Sequence, residues 1–199
     1  MILSFVMDGI SGPAALTVAL IVAAGGVVQT VAGVVVAWVL KSRESKVATT
    51  ASLNNEWHTG VISRARHRSD ALLFKEWGVP LCDIRDKDPE GFYWIWRLLG
   101  FYARLHDAIE LGTVKGKDVP KLFGQIIVWW WVVYFDGRAR PGEFCAFDAL
   151  SDLQGWLARF CKNPSFEAKY NKWVDGAERT RHDLATRRTQ ALSPALKAV

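Results

Sequence analysis

With 199 residues, 25 Lys and Arg against 20 Asp and Glu, and a net charge of +5, the chain has room for one domain with a real core but not for two of ordinary size. So modest a positive balance, diluted by acids, argues against a strongly basic nucleic-acid stripe. Cys82, Cys145 and Cys161 are scattered, odd in number and without a CxxC pair, which argues against a zinc site and reads as reduced, mostly buried thiols.

The hydrophobic residues are unevenly distributed. From Gly12 to Leu40 no residue is charged, and only Thr17, Gln29 and Thr30 are clearly polar. About 20 apolar residues cross a bilayer core, so residues 12–40 are expected to form one transmembrane helix behind a short extracytoplasmic N-terminus, 1–11. No Lys or Arg precedes Lys41, which disfavours a cleaved signal peptide. Asp8 lies before the run and Lys41, Arg43 and Lys46 follow it. The positive-inside bias then predicts a single-pass protein of the inner (cytoplasmic) membrane, N-terminus outside and the bulk of the chain cytoplasmic. Within the run, Ala19, Ala23, Gly26, Thr30, Gly33 and Ala37 alternate steps of four and three. Such a stripe of small residues predicts a transmembrane packing face toward another subunit or a second copy.

After Leu40 the chain reads as an all-α bundle of about five helices, residues 41–176, followed by a basic C-terminal tail, 177–199. A first helix is expected over 42–77, stopped by Gly78 and Pro80. It carries Arg64, Arg66 and Arg68, a basic cluster weighed between a solvated face and a contact for lipid head groups or an acidic partner. The stretch 79–90 holds Asp83, Asp86, Asp88 and Glu90. It lacks the central Gly and terminal Glu of a calcium loop and reads as an exposed acidic loop.

An amphipathic helix is expected over 91–111, with Trp94 and Trp96 among its aromatic residues and His106, Asp107 and Glu110 at a solvated end. After a Gly-bearing turn, Asp118 is expected to cap the next helix, with Pro120 in its first turn. That helix, to about Phe135, contains Ile126-Ile127-Val128-Trp129-Trp130-Trp131-Val132-Val133-Tyr134-Phe135. Ten apolar residues in a row cover every face of a helix, so the segment is expected to be buried on most sides. The competing reading makes Trp94, Trp96, Trp129, Trp130, Trp131 and Tyr134 an aromatic surface facing lipid or protein. A helix over 143–162 aligns Phe147, Leu150, Leu153, Leu157 and Phe160 on one stripe. A last one begins near Ser165 and fades after Ala177, where Arg179, Arg181, Arg187 and Arg188 accumulate in a tail expected to be frayed and solvated, with an arm that orders on a partner as the alternative.

Two features within Phe92 to Phe135 resemble a family of uncharacterised small bacterial membrane proteins: Ile109-Glu110-Leu111-Gly112 closing an amphipathic helix, and Lys121-Leu122-Phe123-Gly124-Gln125-Ile126-Ile127 leading into Trp129-Trp130. The resemblance covers about a quarter of the chain. It implies one N-terminal span and a helical cytoplasmic domain, and no activity.

No phosphate-binding Gly loop, nucleophile elbow, HExxH or kinase signature is present. The sequence therefore predicts a non-enzymatic, membrane-anchored interaction protein, an accessory or scaffold subunit or a self-assembling chain, with no cofactor and no metal. Its expected partners are membrane lipid, other membrane subunits or itself. A membrane-tethered nucleic-acid binder using Arg64, Arg66, Arg68 and the tail is the alternative, nucleic acid being the less expected partner, and an enzyme without recognisable motifs is the third reading.

Overall fold

The structure, a computed structural model, describes residues 13–140 and 142–196, with side chains from 36 to 140 and from 142 to 191. Its helices are α1 (Pro13–His58), α2 (Gly60–Lys75), α3 (Leu81–Lys87), α4 (Pro89–Glu110), α5 (Val119–Leu122), α6 (Gly124–Trp130), α7 (Cys145–Phe160) and α8 (Pro164–Leu196), and a π-helical turn, Trp131–Phe135, follows α6. Among the described residues there is no strand, so the all-α expectation holds. By its internal packing the chain divides into two compact units, residues 1–45 and 46–199.

In the first unit the described residues belong to α1. Among the described residues no helix is long and apolar enough to cross a membrane, and the expected transmembrane helix over 12–40 is corrected on that finding. The physical reason lies in how α1 continues. From Val36, where described side chains begin, it brings Lys41, Arg43, Glu44 and Lys46 within two turns, so the part of α1 whose side chains are described is too short of apolar residues and too charged to span. The predicted packing positions Ala19, Ala23, Gly26, Thr30 and Gly33 lie outside the residues whose side chains are described, and Ala37 is exposed.

The second unit is built on α4. Its buried residues Phe92, Ile95, Leu98, Leu99, Phe101, Tyr102, Leu105 and Ala108 recur at three- and four-residue steps around a broad face. That face packs against α2 on one side and α7 on the other, and burying each large side chain is worth about 1.5–3 kcal/mol. Pro89 occupies the first turn, and the Asp88 carboxylate accepts the Gly91 N–H at 2.8 Å, supplying one of the partners a helix start lacks. Gly112, at φ +62°, closes α4 in a left-handed turn.

The expected helix over 42–77 is two helices. Thr59 sits in an extended conformation between them, and its hydroxyl donates to the Glu56 carbonyl at 2.7 Å. The acidic stretch is also helical, as α3. Asp86 accepts from Arg85 and Lys87 reaches Glu76, so these charges are spent locally. Asp118 has helical angles and its side chain makes no capping bond, contrary to expectation.

The apolar decapeptide resolves into α6 and the π turn. In the π turn the Asp136 N–H donates to the Trp131 carbonyl five residues back, at 2.8 Å. The wider turn lets Val133, Tyr134 and Phe135, three residues in succession, all be buried. The expected fraying after Ala177 does not occur. Helix α8 continues to Leu196 and packs on α6 and the π turn, with Leu184 against the core.

Candidate functional site: two clefts sharing Trp129

Helix α2 presents a polar side toward α6. Arg66 lays its guanidinium over the Trp57 ring, 4.6 Å from the centroid. Its Nε is buried and makes no hydrogen bond. One turn on, Asp70 accepts a 2.5 Å bond from the Tyr134 hydroxyl. Burial, then that carboxylate, raise the Tyr134 pKa far above its ordinary value. Around these groups lies a cleft of about 280 Å³ lined by Trp57, Arg66, His67, Asp70, Ile126, Trp129 and Trp130.

A second cleft, about 590 Å³, opens between α6 and α8. It carries Lys169, Lys172 and Arg179 with Gln125, Trp129, Trp173 and Gly176, and no carboxylate lines it. The Trp173 ring is held at its place from two sides. Lys169 Nζ sits 5.3 Å from its centroid, and Gly124 gives it room, since a Cβ there would stand 2.5 Å from the ring. Gly176 is different: a Cβ added to it would meet nothing within 4 Å, so this glycine leaves the floor of the cleft bare.

Trp129 lines both clefts. It is half-buried and meets Trp130 and Tyr134 nearly at right angles, with ring centroids 5.0 and 5.5 Å away. Those edge-to-face contacts fix the indole, at about 0.5–1.5 kcal/mol each.

Behind the site, Arg138 closes the C-terminal end of α2. Its Nη2 donates to the carbonyls of Glu76, at 2.6 Å, and Leu73, at 3.4 Å, while its Nη1 is buried without a partner. Arg188 adds a 2.6 Å bond to the Trp77 carbonyl. Two guanidinium groups thus meet the negative end of the helix dipole. Burial lowers the Arg138 pKa to about 10.

The residues singled out in the sequence divide accordingly. Arg66, Trp129 and Trp130 line the smaller cleft, and Trp129 with Arg179 lines the larger. Trp131 packs on Phe147, and Tyr134 is buried, so neither forms a surface with the others. Trp96 is exposed on α4, and half-buried Trp94 shares a separate cleft with Arg68. Arg64 and Arg187 are exposed, Arg181 pairs with Asp136, and half-buried Arg188 is a helix cap.

Sequence reasoning missed Trp57, His67, Asp70, Lys169, Lys172, Trp173 and Gly176. The last four carried a readable signal, since 169, 172, 173, 176 and 180 share one side of a helix. That side is basic and aromatic, not apolar. Among the described residues no group of His, Cys, Asp and Glu has the arrangement of a metal site. Comparison with family models, curated proteins and solved structures finds no match to the chain.

Proposed function

We propose that the chain is a non-enzymatic interaction protein, an accessory or scaffold subunit that holds its partner against the basic, tryptophan-lined face centred on Trp129. The observation that carries this reading is the pair of clefts meeting at one fixed indole, bordered by Arg66, His67, Lys169, Lys172 and Arg179. Trp and Arg in partly enclosed positions are the residue types that dominate binding energy at interfaces. Three of the described side chains with chemical potential are not poised for catalysis. Asp70 is engaged by Tyr134. The Cys82 thiol is pushed up by its bond to Glu143 and by burial, and the Cys161 thiol by burial, the reverse of an activated nucleophile.

Recovery of the tagged full-length chain from its host under mild conditions, with size and mass identification of what accompanies it, tests the reading. A defined assembly is expected for the wild type and for Trp96→Ala, which alters an exposed tryptophan outside both clefts. Trp129→Ala is expected to weaken it by about 2 kcal/mol or more. A bare single chain in all three preparations contradicts the proposal.

A further inference from the structure

The cations and rings on either side of Trp129 are arranged along a path. In the smaller cleft Arg66 presents a buried Nε with no acceptor, beside the Trp57 and Trp130 rings. The only acid there, Asp70, already accepts from Tyr134. Across Trp129, the larger cleft offers three cations and a second tryptophan, and no acid lines it. Its floor passes over Gly176, a glycine inside α8 that no neighbour requires. A glycine in a helix interior costs about 1 kcal/mol relative to alanine, and here it keeps the cleft open.

We propose that this path binds a single-stranded nucleic acid, phosphates against Lys169, Lys172, Arg179 and Arg66 and a base against Trp129. The inference rests on the interaction reading above and names its partner. A single strand is the polymer that repeats an anion and a flat ring, and cationic grooves with aromatic platforms are how proteins hold it without reading sequence. An acidic peptide matches the cations but supplies no repeating ring. A duplex keeps its bases stacked inside and presents phosphates alone.

The test uses the purified full chain and a fluorescein-labelled twelve-nucleotide oligo-dT, read by anisotropy across a salt series. Equal-length duplex, uridine monophosphate and polyglutamate serve as competitors. Binding is expected to fall with salt, with a log–log slope of about −3 for four phosphate contacts and about 0.7 lost from that slope in Lys172→Ala. Trp129→Ala is expected to lose about tenfold or more in affinity. Gly176→Phe, which fills the floor and keeps every charge, is expected to lose binding while retaining helicity. That variant separates a blocked site from an unfolded one. Competition by the monophosphate as strong as by unlabelled oligo-dT would reassign the site to a free nucleotide and overturn the strand. Equal competition by polyglutamate or duplex, or unchanged affinity in Gly176→Phe, overturns it as well. If the oligonucleotide does not bind while a Trp129-dependent protein assembly is recovered, this inference falls and the interaction reading stands.

Discussion

Arg138 shows how a single buried residue ties the bundle together. It lies three residues beyond the π turn, yet its guanidinium ends α2 by bonding the Leu73 and Glu76 carbonyls, and its own carbonyl accepts the Leu81 N–H at 3.0 Å. Truncation in Arg138→Ala removes the charged donor from both carbonyls, leaving Glu76 only its bond from the Val79 N–H at 3.1 Å, and is expected to destabilise the fold by about 1.5–3 kcal/mol, measured by chemical denaturation. Arg138→Lys keeps the charge without the fork and is expected to recover only part of that loss. Tyr134 gives a pH prediction. Its pKa is raised well above the ordinary tyrosine value of about 10 by burial and by the bond to Asp70. A group with a raised folded-state pKa contributes stability that is complete below its unfolded value and is lost as pH rises past it. Tyr102, raised by burial, acts in the same direction. Stability is therefore expected to decline as pH climbs from 9 toward 11. Tyr134→Phe should make the decline shallower, read from denaturation midpoints at successive pH values.

At the scale of elements, glycine makes opposite predictions at two positions, Gly176 lining the larger cleft and Gly124 packed against the Trp173 ring. Gly176→Ala adds a methyl into open space and is expected to stabilise α8 by about 0.5–1 kcal/mol. Gly124→Ala drives a methyl into the Trp173 ring and is expected to destabilise, with thermal unfolding distinguishing the two. Much of the element pattern was legible. The stripe Phe147, Leu150, Leu153, Leu157 was readable because three- and four-residue spacing maps directly onto one buried face of α7. The breaks at Thr59 and Phe123 were not, because each is followed only by an isolated glycine, Gly60 and Gly124, a signal a helix tolerates in its interior. The basic tail misled for a related reason. Arg188 caps α2 and Arg181 pairs with Asp136, contacts to partners far away in sequence. Of the candidate site, Arg66, Trp129, Trp130 and Arg179 were legible as unusual residue types. Their division between two clefts was not, because it follows from packing α6 between α2 and α8.

For the whole molecule, the second unit combines an apolar centre on α4 with a polar side where α2 and α8 present cations beside the tryptophans of α6. The decapeptide is reconciled with that arrangement through the π turn. Trp130, Val133, Tyr134 and Phe135 go inward, while Trp129 stays half-buried between the clefts. The most direct measurement is site-specific photo-crosslinking of the full chain in its host. The photoreactive group is placed at Gln125, exposed at the larger cleft, or at Leu111, which is 77% exposed and lines neither cleft. A discrete adduct from position 125 that is absent from position 111, and that disappears in the Trp129→Ala background, is the predicted result. No adduct at 125, or the same adducts from both positions, contradicts the assignment of this face as the interaction site.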